Sequence, residues 1–176
     1  MPIPTVTTER LVLRGHTADD LEACLGCWGD PEVVRHVGGH VSTREDCWAR
    51  ILRYVGHWEL RGFGFWAVTE RATGRYVGEV GFADFQREAT PPIGDAPEGG
   101  WVLARRAHGH GFATEALRGA LAWDAGRLAR QPTRCIIDLG NDASVRVAAK
   151  CGYAYVSDAV YKGAAVRVYE RPADPA

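Results

Sequence analysis

Lysine is nearly missing from this chain, standing only at Lys150 and Lys162, and methionine occurs once. The remaining basic residues are arginines, which also suit ordinary surface positions, so this bias decides nothing about function. Neither sign of charge dominates: the formal net charge is −1 and the sequence pI is about 6.6. That balance excludes a whole-molecule basic field for nucleic acid or an anionic membrane surface, and any bound anion must be held locally. No apolar run approaches the length of a membrane span, and no repeat or linker composition interrupts the chain. Five cysteines, an odd number, with no apolar leader after Met1 lead us to expect a reducing, cytoplasmic setting. Cys24 and Cys27 have the spacing of half a zinc or redox site, yet no second pair accompanies them, so two small apolar residues on a helix is the simpler reading. His36, His40, His57, His108 and His110 show no carboxylate pattern that would complete a metal site, so no metal is expected. No Ser lies in a Gly-x-Ser-x-Gly elbow, which removes the usual hydrolase nucleophile.

What is present suits one globular enzyme-like unit over residues 1–176, with a core from about 8 to 170. Its 176 residues are 46% hydrophobic and 24% charged. Glu9 to Arg14 reads as an opening strand, and Thr17 to Asp20 as a capped helix start continuing to about Trp28. Asp30-Pro31-Glu32 starts a short helix that stops at Gly38-Gly39. Ser42-Thr43-Arg44-Glu45 reads as a capping box before a helix carrying Trp48, Ile51, Leu52, Val55 and Trp58. Phe63 to Thr69 and Tyr76 to Ala83 predict two antiparallel strands joined by Arg71-Ala72-Thr73-Gly74. Ala89 to Pro97 holds three prolines and a glycine and predicts an exposed irregular loop. After a strand at Trp101 to Leu103 come a helix opening at Gly109-His110-Gly111 with Ala116, Leu117, Ala120, Leu121 and Leu128 on one face, and a strand from Thr133 to Leu139. A helix capped by Asn141 and a closing hairpin, Tyr153 to Val160 and Ala164 to Tyr169, complete an alternating α/β (α+β) order.

The chemistry concentrates where a strand, Trp101-Val102-Leu103, runs through Arg105-Arg106-Ala107-His108-Gly109-His110-Gly111 directly into a helix. Backbone N–H groups at a helix start lack intrahelical acceptors, and here they face one point, which suits a pyrophosphate. Gly109 and Gly111 carry no Cβ to hold phosphate oxygens away, while Arg105 or Arg106 and the helix dipole add positive potential. A plain turn with glycine chosen for tight packing is the competing reading of Gly-x-Gly alone. A Walker loop lacks its Gly-Lys-Ser/Thr ending here, and a dinucleotide fingerprint lacks its third small residue, Thr114 standing there instead.

Arg106-x-x-Gly109-x-Gly111 resembles the Q/R-x-x-G-x-G/A pyrophosphate loop of the GNAT superfamily of N-acetyltransferases. Glu98-Gly99-Gly100-Trp101-Val102-Leu103 is similar to the E-I-G-Y-W-L strand of RimJ/RimL-like members, and Gly109 to Leu117 to their G-K-G-Y-A-T-E-A-L helix start. Asn141-Asp142-Ala143-Ser144 with Lys150-Cys151-Gly152-Tyr153 resembles N-x-x-S…K-x-G-F, and Trp28 to Val33 resembles W-x-D-P-E-V. The likeness spans about Thr8 to Glu170. It implies a single-domain GNAT fold, a mixed and mostly antiparallel sheet flanked by helices with splayed central strands. It also implies acetyl-CoA as co-substrate, and acetyl transfer to a primary amine in a ternary complex without a covalent enzyme intermediate.

Under that resemblance Trp101, Val102, Leu103, Arg106, His108, Gly109, His110, Gly111, Ala113, Thr114 and Asn141 are the cofactor-binding candidates, a backbone N–H of the strand serving as oxyanion donor. Glu98 is the candidate base for the acceptor ammonium, beside the alternative that it is an ordinary strand acid. Many relatives protonate the leaving thiolate with a Tyr seven residues after the Asn; Ala148 stands there in this chain, and Ser144 is the substitute candidate, beside a plain helix-start role. Trp28, His36, Trp48, Phe65, Trp66 and Phe85 supply bulk for an acceptor side between the early helices and the hairpin strands, and Asp84, Glu88 and Asp95 flank the loop. A protein N-terminus or a small-molecule amine are both open as acceptor. An antibiotic-inactivating acetyltransferase and a non-catalytic acetyl-CoA sensor are the rival readings, and because members of the family often pair, a homodimer is a further expectation.

Overall fold

The computed structural model describes residues 2–123 and 131–173. The strands are β1 (Val6–Thr7), β2 (Leu11–Arg14), β3 (Phe65–Glu70), β4 (Tyr76–Ala83), β5 (Ala89–Thr90), β6 (Glu98–Leu103), β7 (Thr133–Asp138), β8 (Ala154–Tyr161) and β9 (Ala164–Arg171). The helices are α1 (Leu21–Trp28), α2 (Pro31–Val34), α3 (Arg44–Arg61), α4 (Phe112–Trp123) and α5 (Asp142–Lys150). One sheet runs in the order β1-β2-β3-β4-β6-β7-β9-β8-β5, antiparallel throughout except for β6 beside β7. This is the mixed, mostly antiparallel α/β arrangement expected, and no helix among the described residues is long and apolar enough to cross a membrane.

Alternation along the strands sorts the side chains into two layers. Leu11, Leu13, Trp66, Val68, Val80, Phe82 and Leu103 face one way and pack with Ala116, Leu117 and Ala120 of α4 and Ala148 of α5. Ala67, Tyr76 and Val102 face the other way, against Cys24, Cys27 and Trp28 of α1 and Cys47 and Ile51 of α3. All five cysteines are free and buried. Leu128, expected on the inner face of α4, lies outside the described residues.

Several elements differ from their sequence reading, each for a local reason. The capping box of α3 falls one residue later, on Thr43 and Asp46, because the Ser42 N–H is spent on the Trp28 carbonyl and closes the preceding loop. Along α3 the buried stripe is Cys47, Ile51, Tyr54 and Trp58, while Trp48, Leu52 and Val55 stand at the surface. Trp66 packs on the α4 side of the sheet, edge-on to Trp58 near the end of α3 at 4.7 Å and to Trp123 of α4 at 5.2 Å, and so stands in a different cluster from Trp28, Phe65 and Phe85. The segment expected to be wholly irregular contains β5, which pairs with β8 until Pro91, lacking an N–H, ends the ladder. β1, which no sequence signal marks, pairs its two residues antiparallel with β2 at the sheet edge.

Close approach of β3 to β4 depends on Gly81, where a Cβ would stand 2.3 Å from the Gly64 carbonyl and 2.4 Å from Phe65 Cα. Gly81→Ala is therefore expected to lower stability by about 1–3 kcal/mol, the usual cost of forced overpacking. Urea unfolding followed by tryptophan fluorescence measures it, and an unchanged midpoint would contradict the tight register.

Candidate active site

The site begins with a fault in the sheet. β6 pairs with β4 over all six of its residues, and β7 with β9 over all six, but β6 meets β7 only at Glu98↔Arg134, with Arg134 N–H donating to the Pro97 carbonyl at 3.0 Å. Beyond that point the two parallel strands diverge, giving the splay expected of them. Ala104 N–H donates to the Val77 carbonyl at 2.9 Å, and the register continues through Gly78↔Leu103, Glu79↔Val102 and Val80↔Trp101. Because bonded and non-bonded pairs alternate in an antiparallel ladder, Val102 turns its N–H to β4. Trp101 and Leu103 turn theirs the other way, into the gap.

At the wide end of the gap the chain makes a 3-10 turn over Arg105–Ala107 and passes through Gly109 and Gly111, at φ +78° and +77°, into α4. Side chains other than glycine rarely adopt that backbone conformation. A Cβ on Gly109 would face open space with no atom within 4 Å, so the turn presents bare backbone outward. The Glu115 N–H bonds back to the Gly111 carbonyl at 3.1 Å, and the N–H groups of Gly111, Phe112, Ala113 and Thr114 before it have no acceptor among the described residues, the open first turn of the helix. Two histidines brace the turn: His108 Nε2 donates to the Leu103 carbonyl at 2.8 Å and His110 Nδ1 to the His108 carbonyl at 2.8 Å. Arg106 donates to the Tyr76 carbonyl, tying the turn to β4. Arg10 donates to the His110 carbonyl at 3.0 Å and pairs with Glu115 at 2.7 Å. Together, bare glycines, aligned amides and flanking arginines fit a diphosphate.

The other candidates lie around the same gap. Glu98, at its narrow end, is buried and gives both carboxylate oxygens to Arg87, at 2.5 and 2.6 Å. Asn141, at the start of α5, accepts from the Ser144 N–H at 3.1 Å and donates to the His36 carbonyl at 3.3 Å, linking the end of α2 to the far wall of the gap. Ser144 is half-buried in the first turn of α5, and Ala148, one turn on, is fully buried.

Residues 10–154 match the family model described as Acetyltransferase (GNAT) domain. The chain belongs to the GNAT acetyltransferase family. It is 29% identical over 172 residues to protein YkkB of Bacillus subtilis (strain 168), covering 94% of each chain. A GnaT-family acetyltransferase from Bordetella pertussis is 27% identical with a TM-score of 0.80, over 96% of this chain and 99% of that one. RimL, the ribosomal L7/L12 alpha-N-protein acetyltransferase solved in complex with coenzyme A, shares the fold at 17% identity and a TM-score of 0.77, over 97% of this chain and 99% of its own.

This GNAT domain also carries a polar cluster that the sequence reading missed. Glu79 on β4 is fully buried opposite Val102; its carboxylate accepts from Tyr54 at 2.5 Å and from Tyr76 at 3.4 Å. His16 Nε2 stands 3.8 Å away, beyond hydrogen-bond reach. Arg50, from α3, reaches the Tyr54 hydroxyl at 3.5 Å and lies 3.4 Å over the Trp28 ring. Arg50 Nε, Trp28 Nε1 and both His16 ring nitrogens are buried without a hydrogen-bond partner among the described residues, a pattern that buried water satisfies in proteins. A single acid inside the otherwise apolar run Tyr76 to Ala83 was the available signal. Among the described residues no group of three His, Cys, Asp or Glu side chains could hold a metal ion.

Burial alone would push the Glu79 carboxyl up, but His16, Arg50 and the Tyr54 hydroxyl outweigh it and hold the group below its ordinary value. A carboxyl depressed in the folded state adds stability above its unfolded pKa of about 4.3, and that stability is lost as pH falls. Urea midpoints between neutral and acidic pH should therefore fall more steeply for the wild type than for Glu79→Gln. Parallel curves would show that this carboxylate carries no such linkage.

Proposed function

We propose that the chain transfers an acetyl group from acetyl-CoA to a primary amine by direct attack in a ternary complex, the acceptor being a protein N-terminus or a small-molecule amine. The observation that carries this reading is the continuity of the gap: inward-facing N–H groups of Trp101 and Leu103 lead to the unpaired amides at the start of α4. Gly109, His110, Gly111, Ala113 and Thr114 cradle the diphosphate with their backbone. His108 and Arg106 fix the turn that presents it, through the Leu103 and Tyr76 carbonyls. Trp101, Val102 and Leu103 form one wall for the pantetheine arm and Asn141 the other. Acetyl-CoA supplies the activated acyl carbon and a thiolate leaving group.

The remaining work falls to main-chain and side-chain groups of this chain. A donor fixed in advance where carbonyl charge develops lowers the barrier without reorganisation, a role that the Trp101 or Leu103 N–H can perform. An ammonium has no free electron pair until it loses a proton, and Glu98 is the carboxylate at the narrow end of the gap that accepts it. Ser144, on the opposite wall, hydrogen-bonds the departing sulfur in place of the hydroxyl that Ala148 cannot supply.

Two variants test the reading. Glu98→Gln should lower turnover about 10²-fold or more, the scale of lost acid–base catalysis, while calorimetry shows acetyl-CoA affinity nearly intact. Gly111→Trp should weaken CoA binding; its φ of +77° makes the substitution cost about 1–3 kcal/mol of backbone strain, but its Cβ direction meets only Arg10, at 3.6 Å, so the domain is expected to stay folded, which its urea unfolding curve checks. Unchanged CoA affinity in that variant contradicts the proposed cradle, and wild-type protein that binds acetyl-CoA but acetylates nothing in a broad amine and peptide panel would be a sensor.

A further inference from the structure

The carboxylate assigned to accept a proton is already occupied. Arg87 engages both oxygens of Glu98 as a bidentate fork, and its Cζ lies 4.5 Å from the ring centre of Phe85 and 4.5 Å from that of Tyr161. A carboxylate flanked by aromatic faces is how proteins hold a cation away from water. Here three separate parts of the chain build such a holder, the segment after β4, the start of β6 and the end of β8, and the cation in it is the protein's own. A guanidinium stays charged at any ordinary pH, so it can neither give its proton to Glu98 nor leave room for another donor.

Two observations point to an exchangeable occupant. A cavity of about 180 Å³ opens beside the ion pair, bounded by Asp84, Ile93, Asp95 and Arg134 as well as by Arg87 and Glu98. Arg134 is itself paired with Glu170 at 2.7 Å, and Asp84 with Arg61 at 3.1 Å, so without Arg87 the added charge that Glu98 and Asp95 bring to this space is negative. Immediately before Arg87, Gln86 holds φ at +48°, a left-handed conformation that costs a side-chain-bearing residue energy.

We propose that Glu98, Phe85 and Tyr161 form the binding site for the acceptor's ammonium group, and that Arg87 is its resident stand-in. A primary ammonium enters through the cavity, takes the guanidinium's place between the two rings and hydrogen-bonds Glu98. One N–H proton then passes to a Glu98 oxygen and the nitrogen keeps the electron pair of that bond, leaving a neutral amine and a neutral carboxylic acid. This inference rests on the acetyl-transfer reading, and it accounts for a base found doubly hydrogen-bonded before its substrate arrives.

The test compares wild type, Arg87→Met and the double variant Arg87→Met/Glu98→Gln, using n-butylguanidinium and n-butylamine as probes. At ten times its Kd, n-butylguanidinium should raise the melting temperature of Arg87→Met by about 3 °C and leave the wild type and the double variant unmoved. With n-butylamine as acceptor, Arg87→Met should show a KM about ten-fold lower than wild type, equivalent to removing about 1.4 kcal/mol of competition, with kcat not reduced. Equal melting shifts in wild type and Arg87→Met, a shift that survives in the double variant, or an unchanged or raised KM overturns the proposal. If neither protein turns over n-butylamine, the melting comparison decides alone. Arg87→Gln replaces Arg87→Met if the latter does not fold. Calorimetry with CoA on the same proteins separates the two readings: absent CoA binding in the wild type sinks the transferase assignment, whereas intact CoA binding with no change in amine response sinks only the stand-in role of Arg87.

Discussion

One missing set of hydrogen bonds organises this molecule. Inside the sheet the neighbouring strands β2-β3, β3-β4, β4-β6, β7-β9 and β9-β8 pair over four or more positions each, yet β6 and β7 share a single paired position at Glu98↔Arg134. Parallel strands normally complete a ladder, and leaving backbone groups unpaired inside a domain is costly. That cost is tolerated where a ligand supplies the missing partners. The N–H groups that Trp101 and Leu103 turn into the gap, the braced turn through Gly109 and Gly111, and the cap of α5 all border the same opening. Their shared location follows from the fault, because the turn and α4 continue β6 while the cap and α5 continue β7.

The buried cluster around Glu79 performs the complementary task of keeping the early helices fixed over the sheet. Tyr54 from α3 and His16 after β2 meet one carboxylate in β4 directly opposite Val102, while Arg50 of α3 reaches the Tyr54 hydroxyl and lies over the ring of Trp28 at the end of α1. A buried charge held by hydrogen bonds and opposite charge tolerates little displacement, since moving any partner leaves it unsatisfied. The wall of the gap formed by β6 is therefore backed by a buried polar cluster, whereas the loop carrying Arg87 is held at its edge by an ion pair and two ring contacts.

Much of the fold was legible because local signals and burial agreed. β4 was read from Tyr76 to Ala83 with its observed ends, α2 started at the Asp30 cap, and α5 at Asn141. Legibility failed where long-range partners chose among local options. Ser42 and Thr43 are both capping residues, and only the Trp28 carbonyl, distant in sequence, decides between them. Two-residue strands such as β1 and β5 have no periodicity to detect. For the site, the turn through Gly109 and Gly111 was readable because amide geometry follows from a strand, a glycine turn and a helix in succession. The partners of Glu98 and Glu79 were not, since Arg87, Tyr54 and His16 reach them across the sheet and no spacing rule connects them.

The five cysteines acquire a chemical meaning from where they lie. Burial, the largest influence on each, pushes every thiol above its ordinary value, so none offers a thiolate at neutral pH. Acyl groups migrate from one sulfur to another only through attack by a thiolate. A thioester lodged between β6 and β7 would thus meet no thiolate from the protein's own cysteines, and loss of its acyl group to sulfur would be closed off.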